Sequence, residues 1–532
     1  MLLAFALICL ISVFPPNLEG AAVSNDVAGE DDWTRHLILV TSLGQAVVPA
    51  DSQKLSIEPK NNFDDIFASI ESDANRSKTL IFFIQGGLDD LDSAIARAKD
   101  AGTIAAMASD NFYPIFIGWD ANLGTSYLEH LKTSRGIYEP GNYLFTTPLT
   151  LIADLGEAVS NAPLSFFHQF FETDAKRLKF ASSSYTNDTV FRPISGLNPE
   201  AQVVNNEYAE LRSYYNAHPE RSLKIELANF CYSPERAIAG SATYIVSFVP
   251  KTAMLPILQG GGLGAWQRMR GRVINLFHRP YEFDLLDKGY HLTEADFREG
   301  VLPDDAYDKS TAERAGGLAL FMAQLQAYQL DHKQRQIILV GHSAGTIVAS
   351  EMLLRYPDIK YADIVYMAAA CSLNDFEKSV LPYLKRHKSD ATPTLFYDLC
   401  LHPQHEVDEW RLQEVTLGNG AEEMLAERGS LLEWIDNFYS TPESFMDRML
   451  GKWENIVQAS HIIPYELRPL ITVKGFGASP DALKAFPNTG GAYNIDTFYK
   501  HRDTGPQAHG DFSWWPYWKT WMWEVEPSLK SP

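Results

Sequence analysis

Cysteine is nearly absent, with four residues in a chain of 532. Cys9 lies in the N-terminal apolar run, and without that run only Cys231, Cys371 and Cys400 are left. An odd set allows at most one disulfide beside a free thiol, which excludes a disulfide scaffold. None of the three has metal-ligand spacing, and Cys371 and Cys400 each end an apolar run, so they read as buried structural thiols. Basic charge is also short. Lys and Arg number 45 against 67 Asp and Glu, a formal net charge of −22. Binding nucleic acid needs a basic face, so this balance argues for no nucleic-acid partner. Internal repeats and low-complexity tracts are missing, and no large part of the chain reads as disordered. The apolar run from Met1 to Phe14 is too short to span a bilayer comfortably, and no Lys or Arg precedes it.

What is present is the composition of a soluble globular protein, 45% hydrophobic and 21% charged, in a chain long enough for one large elaborated domain or two ordinary ones. The first segment, 1–22, fits a signal peptide: an apolar centre followed by small Gly20, Ala21 and Ala22 at a cleavage site. A secreted or extracytoplasmic location is expected. Sequons at Asn75-Arg76-Ser77 and Asn187-Asp188-Thr189 agree with a glycoprotein of that route.

Short apolar runs then alternate with helical periodicity. Runs at 35–41, 79–84 and 113–119 read as strands, and a helix is expected from Asp89 with Leu91, Ala94, Ile95 and Ala98 on one face and Gly102 as its stop. The alternation fails between 123 and 310. That stretch carries Leu151, Ile152, Leu155 and Val159 at helical spacing, the pairs Phe166-Phe167 and Phe170-Phe171, and an apolar segment at 244–258. It resumes with a helix at 312–330, a strand at 336–340, a helix at 344–356 and strands beginning at Asp363, Thr394 and Pro469. A Trp-rich final helix is expected at 514–523. Strand and helix in turn imply parallel units covered on both faces, hence an α/β, doubly wound, mostly parallel sheet. The stretch at 123–310 then reads as a large, mainly helical insertion or lid between core segments 23–122 and 311–532, and not as a separate sheet.

The most informative residues are Gly341-His-Ser343-Ala-Gly345, a G-x-S-x-G between an apolar strand and a helix. A chain that turns from strand to helix so sharply forces the middle residue into a strained conformation and leaves no room for side chains two positions away. The turn lifts the Ser343 hydroxyl off the sheet and places the Ala344 amide at a helix start, where it can hold an oxyanion. Gln85-Gly86-Gly87 follows an earlier strand, and Phe116-Ile-Gly-Trp119 ends another.

These three pieces resemble the α/β-hydrolase superfamily, and more narrowly esterase-like bacterial members of unknown function. The resemblance covers roughly 79–119 and 312–512 and is weak over the insertion. It implies hydrolysis of esters or thioesters through Ser343, no cofactor, and triad partners in the chain order Ser, acid, His. The His must follow the last strand; His509, next to Gly510, is preferred over His501 as the general base. The acid lies past the strand that begins at Thr394. Asp398 fits if that strand stops early, Glu406 if it runs on through Leu401, and Asp408 is a third candidate; Glu406 is preferred. His402 and His405 lack helical ligand spacing across Pro403, so no metal is expected. Gly87 would supply the second oxyanion amide beside Ala344. Gln85 departs from the His usual at that place.

Two functions fit. One is a serine carboxylic-ester hydrolase acting on a small-molecule or lipid ester, with peripheral membrane contact through the insertion. The other is a catalytically silent scaffold of the same fold that serves as a membrane-associated or binding protein.

Overall fold

The computed structural model describes residues 33–50, 54–56, 59–87, 91–134, 137–138, 153, 154, 156, 159, 160, 223–227, 262–278, 315–408, 429–442, 444–476, 506, 508–513 and 515–523. Among them the apolar runs become strands of one large sheet. They are β1 (Leu37–Val40), β2 (Ala46–Ala50), β3 (Lys54–Ser56), β4 (Thr79–Ile84), β5 (Phe112–Trp119), β6 (Lys224–Leu227), β7 (Ile337–His342), β8 (Asp363–Met367), β9 (Leu395–Leu401) and β10 (Ile471–Phe476). The order across the sheet is β3-β2-β1-β5-β4-β7-β8-β9-β10-β6. Every pairing from β1 to β6 is parallel, and only the edge pairs β1·β2 and β2·β3 are antiparallel.

Helices around this sheet include α1 (Pro59–Glu71), α2 (Leu91–Ala98), α3 (Ala101–Ser109), α4 (262–277), α5 (Gly317–Asp331), α6 (Gly345–Arg355) and α7 (Pro403–Asp408). Successive strand side chains point to opposite faces, and both faces are buried, so the strands carry no polar alternation. Ile38, Val40, Phe82 and Leu339 pack with Phe63 of α1, Phe321 of α5 and Val348 of α6. Leu37, Leu39, Phe83, Ile338 and Val340 pack on the other side with Ala94 and Ala98 of α2, Met107 of α3 and the C-terminal Phe512, Trp515 and Trp523. This is an α/β molecule with a mostly parallel, mixed sheet and a core on each face.

Several expectations are corrected. The helix from Asp89 does not end at Gly102. α2 ends at Ala98, and Asp100 caps a second helix by accepting from the amides of Gly102 and Thr103 (3.1 and 3.2 Å), so Gly102 lies in a first turn. The helix expected at 312–330 starts at Gly317, because Gly316 is extended and a Cβ there would lie 2.2 Å from the Leu276 carbonyl oxygen. The final Trp-rich helix is absent among the described residues. The stretch instead carries a 3-10 turn at Thr520–Met522, and another 3-10 turn, His509–Ser513, precedes it.

Segment 123–310 also contributes a strand, since β6 extends the sheet beside β10. Val159 is helical but 61% exposed, so it does not face a core. The segments 166–171 and 244–258 lie outside the described residues. No helix among the described residues is long and apolar enough to cross a membrane.

Candidate functional site

β7 ends at His342 and α6 begins at Gly345, so Ser343 and Ala344 alone make the turn. Ser343 has φ +51°, a left-handed conformation that costs a non-glycine residue about 1–3 kcal/mol and persists only where the surroundings enforce it. They do so on both sides. The Ser343 amide donates to Met367 O at 2.9 Å, and its carbonyl accepts from the Ala370 amide at 3.1 Å and from Thr346 Oγ1 at 2.6 Å. The glycines of the motif are needed for close approach. A Cβ on Gly341 would sit 3.1 Å from Thr346 Cα, across the turn as expected. One on Gly345 would meet the Ile84 carbonyl oxygen at 2.4 Å, so this second glycine makes room for β4 and not for the turn itself.

The loop after β4 lies against this elbow. A Cβ on Gly86 would be 3.1 Å from Ser343 Cβ, and one on Gly87 would be 2.9 Å from Ala344 Cβ. The two residues expected to supply oxyanion amides, Ala344 and Gly87, are therefore neighbours. Gln85 bridges two strand ends. Its Nε2 donates to Trp119 O (2.9 Å), and Trp119 Nε1 donates back to Gln85 O (3.2 Å), locking the start of the glycine loop to the end of β5. Segment 123–310 reaches the same place through α4. Met269 is fully buried, and its sulfur would lie 3.2 Å from that Gly87 Cβ. α4 is held there by buried Arg272, which donates to Asp120 O at 3.1 Å just past β5.

His509 comes to the elbow from the far end of the chain. Its Nε2 is 2.8 Å from Ser343 Oγ, and both residues are 2% exposed. The His509–Ser513 turn is anchored from several sides. Asp511 accepts from the Ala508 amide at 2.9 Å, Phe512 meets Phe476 edge-on with ring centres 5.7 Å apart, and Arg97 of α2 donates to Ser513 O at 2.6 Å. His501 lies outside the described residues.

The acid candidates separate. β9 runs through Leu401, so Asp398 stands in mid-strand and not at the strand end. By alternation it shares the face of Phe396 and Cys400, and the Cys400 thiol donates to it at 3.5 Å. Burial pushes its carboxyl well above the usual carboxylate range. Glu406 lies past the strand end in α7, fully buried, where Ser430 Oγ donates to its Oε2. Asp408 closes α7. His402, between β9 and α7, is held down to about 3 by burial, with His405 adding to the effect. It is therefore neutral at ordinary pH. Among the described residues, no cluster of three or more His, Cys, Asp or Glu side chains is arranged to hold a metal ion. Cys371 and Cys400 are free and buried, as expected. Burial pushes both thiols up.

Two features have no sequence signal that marks a role. Buried Lys452 pairs with Glu433 Oε2 at 2.6 Å and Asp436 Oδ2 at 3.0 Å, and Asp436 Oδ1 accepts from the Met449 amide at 2.6 Å. Burial draws the Lys452 ammonium down, but Asp436 and Glu433 overcome it and hold it charged. This network fastens segment 449–452 against the loop after β8, where the Gly451 amide donates to Ala369 O at 2.9 Å. The other feature is His342, inside the motif itself, whose Nε2 is 3.0 Å from the His509 carbonyl oxygen.

No protein-family model, no curated protein and no solved structure matches this chain.

Proposed function

We propose that the protein is a serine carboxylic-ester hydrolase of the α/β-hydrolase fold that works through an acyl-enzyme. The observation that carries this reading is a serine at φ +51° on a strand-to-helix elbow with a histidine Nε2 2.8 Å from its Oγ. The doubly wound arrangement supports it, as does a glycine loop from an earlier strand lying against the elbow. In the proposed reaction Ser343 Oγ attacks the ester carbonyl carbon as its proton passes to His509 Nε2. The amides of Ala344 and Gly87 hold the oxyanion, and His509 returns the proton to the departing alcohol. Water then repeats the sequence and frees the acid. Glu406, buried just past the end of β9, is our candidate for the carboxylate that orients His509. No cofactor takes part.

We place the protein outside the cytoplasm on the strength of its first 22 residues, and give it a small-molecule or lipid ester as substrate, with membrane contact through the insertion. The near-complete burial of Ser343 favours the second reading, a silent scaffold. Labelling the purified protein with a fluorophosphonate and mapping the labelled peptide separates the two. Label on Ser343 with turnover of an ester panel supports the hydrolase, and a protein that takes up no label is the scaffold.

A further inference from the structure

We propose that His342 is a positioning residue, whose imidazole holds the main chain of His509 so that the His509 ring stays on Ser343. The inference rests on the hydrolase reading above. By strand alternation His342 follows Ile338 and Val340 on one face of β7, the face on which Phe512, Trp515 and Trp523 pack. It is the last side chain of that row and meets the C-terminal segment where that segment crosses the strand end. Its Nε2 is 3.0 Å from the carbonyl oxygen of His509. A carbonyl only accepts, so His342 Nε2 carries the hydrogen and donates.

The consecutive residues His342 and Ser343 therefore bind one residue twice, once at its main chain and once at its ring (2.8 Å). Two contacts from adjacent residues fix both the place and the direction of the imidazole, which a single contact through a rotatable side chain does not. The surroundings accommodate the arrangement. A Cβ on Gly86 would lie 2.9 Å from His342 Nδ1, so glycine at that place leaves room for the ring between the glycine loop and the C-terminal segment. The His342 and His509 rings stand 5.4 Å apart at 44°, so the two imidazoles are not stacked and His342 acts through the backbone.

Three variants test this. His342→Phe keeps a ring and loses the donor, His342→Gln restores an amide N–H near the position of Nε2, and His342→Ala removes both. Each is compared with the parent for fluorophosphonate inactivation rate, for kcat and KM on the best ester of the panel, and for Tm. His342→Phe is expected to lower the inactivation rate and kcat by about a hundredfold, the scale of a misplacement near 1 Å, with KM little changed. His342→Gln is expected to recover most of that loss. Equal rates for His342→Phe and the parent, or equal losses for His342→Phe and His342→Gln, overturn the proposal. A fall in Tm with rates intact, measured well below Tm, also overturns it, because it makes the contact purely structural. If the parent protein itself takes up no label, the hydrolase reading fails, and the positioning role fails with it.

Discussion

Ser343 and His509 lie 166 positions apart in the chain and 2.8 Å apart in the fold, and their pairing is the most consequential residue-scale fact. Groups that act as one unit do not contribute additively. Ser343→Ala and His509→Ala should each lower ester hydrolysis by roughly a thousandfold or more, and the double variant should be hardly worse than either. Additive losses in steady-state kinetics would mean that the two residues do not share a step. Asp398 supports a separate prediction. Its carboxyl is raised in the folded protein, whereas the unfolded chain releases the proton near the ordinary value of 3.8. The unfolded state thus binds fewer protons once pH exceeds that value, and stability falls as pH rises toward the folded pKa. The slope reaches about 1.4 kcal/mol per pH unit for one proton. Asp398→Asn removes this titration at nearly constant volume. Urea midpoints measured from about pH 4 to about pH 8 should decline less in the variant than in the parent. Parallel curves would show that Asp398 is ionised in the fold.

At the scale of elements, the elbow depends on what stands behind it. The end of β8 supplies Met367 O and the loop after it supplies the Ala370 amide to Ser343, and the 449–452 segment packs against that loop. That segment is held by Lys452 between Glu433 and Asp436, all nearly fully buried. Removing one member of a buried ion pair leaves an uncompensated charge, which costs about 3–5 kcal/mol. Lys452→Met should therefore destabilise by about that amount in denaturant unfolding. Adding Glu433→Gln and Asp436→Asn to it should restore part of the loss. A mild effect of Lys452→Met alone would show that water reaches the site.

At the scale of the whole molecule, the proposals about substrate and location turn on segment 123–310 and on the first 22 residues. α4 brings Met269 against Gly87, so the insertion borders the proposed oxyanion site. The aromatic pairs 166–167 and 170–171 belong to the same stretch. Burying an acyl chain against such groups is worth about 0.8 kcal/mol per methylene, so medium and long acyl esters should be preferred over acetate. Phe167→Ala and Phe170→Ala should flatten the chain-length profile in an ester panel. Unchanged profiles with lower Tm would make these residues packing alone. If the first segment is a signal, the native chain begins near Val23 and is found outside the cytoplasm. N-terminal sequencing decides it, and an intact Met1 in a cytosolic pool would refute export.

The sequence by itself determined what short windows can encode. The alternation of apolar strand and periodic helix and the elbow at Gly341–Gly345 are local patterns, and the strand limits at Thr79–Ile84 were legible to the residue. Glycine at 341 and 345 announced a tight turn, although the backbone that Gly345 makes room for belongs to β4, far away in the chain. Tertiary structure decided whatever depends on a distant partner. β9 runs to Leu401 because β10 pairs with it as far as Phe476, and that register leaves Asp398 in mid-strand and Glu406 past its end. β6 is a strand because the open edge of β10 accepts it. The C-terminal Trp residues find their place on an apolar face of the sheet, where Tyr517 stacks on Phe83 of β4 and Trp523 lies against Tyr397 of β9. His342 reads as an ordinary position inside a motif, and only the arrival of His509 from the other end of the chain gives its ring a carbonyl to hold.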